Sequence, residues 1–299
     1  MMNKQKDMIK VNMHLVEACN YSCKYCFAKF DDHKVLNKDD WMNIIDNCVN
    51  SGRVYEINFA GGEPMLVPYL HELAEYVNSK GIRCSLITNG SLMTDEWIRK
   101  YAGLFRTIGM SVDSFDAETA RMVGRCDRFG NVQSAERTAE IIRNVKALYP
   151  AVKIKLNTVV NALNVSENLA EFIVAEKLPV DRWKFLKMCY FNDGCHNNAS
   201  LAVTDNQYRE FVCSNLREFG VYDVSDNQVL YNTASGTEVV AESKIKGGYY
   251  MIDAGGRLVD DTTNDSYRSV IDCRTQSFED GIRKLTLYTD VYDSRYKTA

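Results

Sequence analysis

No stretch of the 299-residue sequence approaches the roughly 18 consecutive apolar residues that a bilayer-spanning helix needs. The opening Met1–Lys10 (MMNKQKDMIK) has neither the apolar centre of a secretory signal nor the facial pattern of an anchoring helix. Internal repeats, low-complexity tracts and Pro/Gly linkers are missing. A strong charge imbalance is missing too: 36 Lys and Arg stand against 40 Asp and Glu, a net charge of −4. That balance excludes bulk attraction to nucleic acid or to an anionic membrane, so an anionic substrate must be met by a local basic cluster. These absences lead to the expectation of a soluble, cytoplasmic protein with no direct nucleic-acid or membrane contact.

What is present is a chain 45% hydrophobic, enough for one large core or for a barrel with an appendage. It also carries ten cysteines. Cys48, Cys84, Cys126, Cys189, Cys195, Cys213 and Cys273 are scattered singly, which suits reduced thiols better than a disulfide framework. The other three, Cys19, Cys23 and Cys26, are crowded into eight residues.

Short β-rich runs alternate with amphipathic helical patterns through the first two thirds. Alternation predicts strands at Val11–Val16, Val54–Phe59, Cys84–Thr88, Thr107–Val112, Val152–Val160 and Arg182–Met188. The 3.6-residue period predicts helices near Lys38–Val49, Val67–Ser79, Asp95–Tyr101 (with Thr94 as N-cap), Gln133–Leu148 and Ser166–Glu176. Strands interleaved with helices imply parallel βα units. The fold expectation is therefore α/β, a partial (β/α)6 barrel over residues 1–200. Beyond it the rhythm lapses. A helix over Thr204–Phe219 and a hairpin over Gly247–Val259, turning at Ala254–Gly256, belong to a C-terminal extension, 201–299, expected to cap the active site.

Cys19-Asn-Tyr-Ser-Cys23-Lys-Tyr-Cys26 follows directly on the first predicted strand. Three thiolates on one short loop can hold three irons of a cubane cluster and leave the fourth open. A structural zinc knuckle wants four ligands, and neither His14, inside the strand, nor His33, seven residues beyond the loop, sits where a fourth is needed. A redox dithiol needs only two of the three. The spacing favours a metal cluster over packed free thiols, whose single occurrence is common.

With Phe27 just after the third thiol, Cys-x3-Cys-x2-Cys resembles the signature of radical S-adenosylmethionine (SAM) enzymes. Gly61-Gly62-Glu63-Pro64 ends the second strand and Thr88-Asn89-Gly90 ends the third. Either alone is a common turn sequence, but three such motifs on the C-terminal rim of successive strands fall where barrel enzymes place their sites. The resemblance implies a radical SAM fold with two cofactors, a 4Fe–4S cluster on Cys19, Cys23 and Cys26, and SAM. Gly61, Gly62 and Glu63 would seat the SAM amine, and Phe27, Asn89, Ser111 and Arg125 would contact the rest of it.

Longer segments resemble the viperin family, especially its prokaryotic members: Val11–Cys26, Ile57–Pro64, Asn89–Leu92, Asp113–Asp116 with Gly124-Arg125, Lys155–Asn164 and Arg182–Lys184. The likeness runs from about residue 11 to 190 and is weak in the last third. It implies conversion of a nucleoside triphosphate (CTP, UTP or GTP) to its 3′-deoxy-3′,4′-didehydro form in antiviral defence. Hydrogen abstraction from C4′ by a 5′-deoxyadenosyl radical, loss of the 3′-hydroxyl as water and a second one-electron reduction would do this, with an electron donor such as flavodoxin or ferredoxin. Where the family carries Lys and Ser this chain has Glu56 and Ala60, and the family's hairpin Tyr falls at Gly255. Tyr250 and Asp253 remain as candidates for a proton or hydrogen donor, although a structural role is the stronger reading of each; Tyr249 and Tyr288 read as packing residues.

Residue spacing bears on the triphosphate as well. Lys155 and Asn157 are two apart on one strand, as are Arg182 and Lys184 on the next, so each pair shares a face. In a barrel that face points inward, where a cation is unfavourable unless an anion meets it. A solvated barrel mouth, or pairing with Asp and Glu, is the competing explanation. Two rivals for the function are another radical SAM enzyme, such as a peptide maturase, and a non-enzymatic, metal-stabilised binding protein.

Overall fold

The computed structural model describes residues 8–28, 35–190, 197–225, 230–244, 246–262, 267–285, 287 and 292. His33, Cys195 and Tyr288 lie outside them.

Six strands form within a residue or two of the predicted positions: β1 Ile9–His14, β2 Val54–Ala60, β3 Arg83–Thr88, β4 Thr107–Ser111, β5 Lys153–Val160 and β6 Arg182–Lys187. Each pairs in parallel with the next. The crossovers carry α1 Lys38–Asn50, α2 Leu70–Ser79, α3 Asp95–Tyr101, α4 Ala117–Met122, α5 Ala135–Leu148 and α6 Leu169–Ala175. Capping explains where several begin. Asn37 and Asp40 form a reciprocal box at α1, and the Thr94, Asp116 and Ser134 side chains accept from backbone amides at α3, α4 and α5.

The two faces of β1 show why the sheet curves around a polar interior. Val11 and Met13 are fully buried, in the apolar cluster that also takes Trp41, Ile44, Ile45 and Cys48 of α1. Lys10, Asn12 and His14 alternate with them and line a cavity. The same alternation puts Asn58 and Ala60 of β2, and Lys155, Asn157 and Val159 of β5, on the cavity side. Apolar side chains thus face the helices and polar ones face inward.

The C-terminal third holds α7 Asp205–Glu218, β7 Leu230–Asn232, β8 Glu238–Glu242, β9 Tyr250–Ile252, β10 Arg257–Asp260, β11 Arg268–Asp272 and α8 Phe278–Lys284. Its five strands join the barrel sheet at both edges, giving the order β11-β10-β9-β1-β2-β3-β4-β5-β6-β8-β7. β8 runs parallel to β6 and β9 parallel to β1. The sheet therefore continues without interruption across residue 200, and it is open, ending at β11 and β7. The predicted hairpin is β9–β10, turning where expected. Every described cysteine is a free thiol. No described helix is long and apolar enough to cross a membrane.

Candidate active site

One cavity touches the inner face of all six parallel strands and opens at their C-terminal rim. Cys19, Cys23, Cys26 and Phe27 line the rim, with Gly61, Gly62, Asn89, Ser111 and Arg125; Lys155 and Asn157 line the interior.

The cysteine loop is clamped from two sides by backbone that tolerates no side chain. On one side Gly62 N–H donates to Val16 O (2.6 Å) and Glu63 N–H to Ala18 O (2.9 Å). A Cβ on Gly62 would overlap the carbonyl oxygens of Glu17 and Ala18, and one on Gly61 would lie 2.5 Å from Val16 O. On the other side Ser22 N–H donates to Gly124 O (3.2 Å) and Lys24 N–H to Val123 O (3.0 Å). Gly124 has a φ of +80°, and a Cβ there would overlap Ser22 O. The GGEP and Gly124-Arg125 motifs thus share one mechanical task.

A buried network completes the clamp. Tyr25, between the second and third thiols, donates its hydroxyl to Asp113, and Arg125 Nε bonds the same carboxylate while its Nη2 lies 3.0 Å from Tyr25 Oη. The other Asp113 oxygen accepts from Val159 N–H at 2.6 Å. Burial is the largest influence on Arg125 and opposes its charge, but Asp113, Cys23 and Tyr25 together outweigh it, and the Arg125 pKa stands above the ordinary value. Tyr25 and Asp113 escaped sequence reasoning as site residues; a tyrosine inside the cysteine loop was the available signal.

Glu63 is fully buried behind the cavity wall rather than on it. Its carboxylate accepts from Thr88 Oγ1 (2.7 Å), Met65 N–H (3.0 Å) and Asn89 N–H (2.8 Å), fastening the end of β2 to the end of β3. Burial raises its pKa despite these bonds. Asn89 in turn donates to Asn20 Oδ1 at 2.8 Å and reaches Cys19 Sγ at 4.0 Å. Burial raises the thiol pKa of Cys19, and that of Cys23 to about 11.

Deeper in the cavity the predicted cations part company. Arg182 pairs with Glu238 at 2.6 Å and Lys184 pairs with Glu242, both across to β8, and neither lines the cavity. Lys10 on β1, which sequence reasoning passed over, lines the cavity and pairs with Glu56, its neighbour in register on β2. Lys155 is different. Its ammonium group has no hydrogen bond or ion pair among the described residues, and its pKa is pushed well below the ordinary value, first by burial and then by Lys184 and Lys10. Asn58 Oδ1, buried in the wall, likewise has no partner among the described residues, although its amide donates to Asn12 Oδ1 (2.9 Å).

Tyr250 and Asp253 lie off the cavity. Tyr250 packs edge-on against Tyr292 with ring centroids 5.2 Å apart. Asp253 is spent on the hairpin turn, accepting from Gly255 N–H, Arg257 N–H and the Arg257 guanidinium. Tyr249, expected only to pack, lines the cavity instead, its hydroxyl 3.1 Å from Glu242 Oε2.

The match to known proteins agrees with this arrangement. Residues 13–172, over half the chain, match the radical SAM superfamily, to which the chain belongs. Within it the chain is a member of the viperin-like S-adenosylmethionine-dependent nucleotide dehydratase family. It is 36% identical to the relative of that name from Selenomonas ruminantium, over 96% of this chain and 98% of the relative. It is 28% identical to the S-adenosylmethionine-dependent nucleotide dehydratase from Pseudoalteromonas ulvae, over 96% and 92%. Among solved structures, native anSMEcpe with bound AdoMet superposes with a TM-score of 0.67 at 14% identity, covering 92% of this chain and 80% of that one. Streptococcus suis SuiB bound to S-adenosylmethionine gives 0.65 at 13% identity, over 95% and 68%. These two establish the fold alone.

Proposed function

We propose that this chain removes water from a nucleoside triphosphate to give the 3′-deoxy-3′,4′-didehydro nucleotide, acting in the cytoplasm in antiviral defence. The observation that carries the reading is the division of one cavity. Three thiols ring its mouth, and its interior holds Lys155, which makes no direct ion pair among the described residues, Glu242 acting on it only at longer range.

The residues present fit a cubane cluster and SAM. Among the described residues no three Cys, His, Asp or Glu side chains converge as on one metal ion; the thiols instead follow one another round a loop, and a cubane takes one thiolate per iron. The backbone cradle of Gly61 and Gly62 leaves no room for a Cβ, and Asn58 offers an unmatched acceptor. Cys19, Cys23 and Cys26 would hold the cluster. Thiolates are the ligands of such a cluster, so assembly must release the thiol protons of Cys19, Cys23 and Cys26. When bound, the two cofactors would supply a 5′-deoxyadenosyl radical able to take hydrogen from C4′ of the ribose, given one electron from a carrier of the flavodoxin or ferredoxin kind; a second electron and a proton would then accompany departure of the 3′-hydroxyl as water.

The protein's own residues bind, orient and exclude water. Gly61 and Gly62 present backbone to the methionine amine, with Glu63 bracing them from behind. Asn89, Ser111, Arg125 and Phe27 shape the SAM side of the cavity. Lys155 and Asn157 meet the triphosphate directly, while Arg182 and Lys184, each held by a β8 carboxylate, add positive potential at longer range. Tyr249, Met251 and Asp261 bring the 201–299 extension to the cavity wall, which is how that segment caps the site.

Anaerobically reconstituted, reduced protein with SAM and each nucleoside triphosphate tests the reading. The expected result is 5′-deoxyadenosine formed only with nucleotide, and a product lighter by one water. Cleavage of SAM that ignores nucleotide, or a substrate of unchanged mass, contradicts it.

A further inference from the structure

The stretch of cavity wall formed by β1 and β2 is layered. From the interior towards the mouth, Lys10 stands beside Glu56, Asn12 beside Asn58 and His14 beside Ala60. Gly61 and Gly62 follow at the rim. Alternate residues of a strand are about 7 Å apart. The Asn12–Asn58 pair therefore lies one such step above the Lys10–Glu56 ion pair and one step below Ala60. Lys10 is near enough to Lys155 to help depress its pKa, so the cavity's cations belong to the deeper layer.

Asn58 is only 4% exposed, and its Oδ1 has no hydrogen-bond donor among the described residues. Its amide nitrogen is committed to Asn12 Oδ1 at 2.9 Å. The flanking strands leave that oxygen unserved. Ser85, in register with Asn58 on β3, gives its hydroxyl to Glu56, and Met251, in register with Asn12 on β9, is apolar. A buried carbonyl oxygen without a donor is unfavourable, and this one stands in the wall of the cavity. A ligand group that donates completes it. Triphosphate oxygens are acceptors, whereas a sugar hydroxyl donates.

We propose that Asn58 reads the ribose of the nucleotide, its Oδ1 accepting from the 2′-hydroxyl, and so makes the enzyme select ribonucleotides over 2′-deoxyribonucleotides. The inference rests on the proposed nucleotide dehydration and names a specificity residue for it. A triphosphate held by the deeper cations, with C4′ presented to the mouth, leaves the sugar at the layer of Asn12 and Asn58. The choice of hydroxyl follows from the chemistry. The 3′-oxygen leaves as water and must gain a proton, which a neutral amide oxygen cannot give. The 2′-hydroxyl stays on the product, so an acceptor can hold it throughout. A site completed by a substrate hydroxyl rejects the analogue that lacks it, because the buried acceptor is then left unpaired.

The test compares CTP, UTP and GTP with their 2′-deoxy counterparts, using anaerobically reconstituted, reduced enzyme with SAM and reading 5′-deoxyadenosine. For the wild type, kcat/KM on the preferred ribonucleotide should exceed that on its 2′-deoxy analogue about tenfold or more. Asn58→Leu should lower the ribonucleotide value alone and bring the two together. Asn58→Asp keeps an acceptor and should keep the preference, even with binding of both nucleotides weakened by its added charge. SAM affinity measured without nucleotide should be the same in all three proteins. Equal use of the two sugars by the wild type overturns the proposal, as does an Asn58→Leu enzyme that retains the wild-type preference. Loss of SAM affinity in Asn58→Leu with the preference unchanged overturns it too, and gives the residue to the cofactor. If no nucleotide of either sugar provokes 5′-deoxyadenosine, nucleotide dehydration itself falls, a result visible in the wild type before any variant is made.

Discussion

Lys155 occupies a position that only an anion makes favourable. Burial and the neighbouring Lys184 and Lys10 depress its pKa, so the folded chain without nucleotide binds a proton there less readily than the unfolded chain does. By linkage, this group's contribution favours folding above the ordinary lysine range and is lost as pH falls through the depressed value. Lys155→Met should therefore raise the melting temperature of the nucleotide-free protein at neutral pH while weakening nucleotide binding about tenfold or more, the range of one charge-assisted contact. Calorimetry and thermal melts check the two signs, and a variant that loses both stability and affinity contradicts the account. Wild-type nucleotide affinity should also fall at alkaline pH, earlier than an ordinary lysine would dictate. Lys184 behaves differently because it is paired with Glu242 in the interior. Removing one partner of a buried pair costs about 3–5 kcal/mol, so Lys184→Ala should lower stability sharply, while Lys184→Met with Glu242→Gln should recover most of it. Equal melting temperatures for the single and double variants would refute the pairing. Spacing placed Lys155, Asn157, Arg182 and Lys184 on one face; it carried no information about Glu238 and Glu242, which arrive from β8 more than 50 residues later.

At the scale of elements, the cysteine loop holds its shape through the backbone of its neighbours. Gly62 is the sharpest case, since any Cβ there strikes the carbonyls of Glu17 and Ala18. Gly62→Ala should displace the loop and lower iron incorporation severalfold, measured as iron per chain after reconstitution. Gly52→Ala is the control: φ is +65° but the space around it is open, so only the backbone strain of about 1–2 kcal/mol applies. Full iron loading of Gly62→Ala would show that the clamp does not shape the loop. The three rim motifs were legible in sequence because each is short, local and at a strand end. The role of Glu63 was not, because its partners Thr88 and Asn89 belong to the next strand. Helix α4 was missed as an element: six residues are too few to show a period.

Across the whole molecule, the six parallel strands were readable because each is five to eight residues of strong alternation joined by capped helices. The five strands of the C-terminal third are three to five residues long, and they join the sheet at opposite edges, beside β6 and beside β1. No local pattern encodes such a split, so the sequence showed a C-terminal extension but not that its strands continue the barrel sheet at both edges. The consequence for function is that a single open barrel carries the thiols at its mouth, Lys155 in its interior and the carboxylates that hold Arg182 and Lys184 at its flank. In the proposed function, a nucleotide fixed by that interior presents its ribose to chemistry at the mouth. The most direct test is a single turnover with nucleoside triphosphate deuterated at C4′. One deuterium is expected in the 5′-deoxyadenosine recovered and none in the dehydrated nucleotide. Unlabelled 5′-deoxyadenosine beside a nucleotide that keeps its deuterium would contradict it.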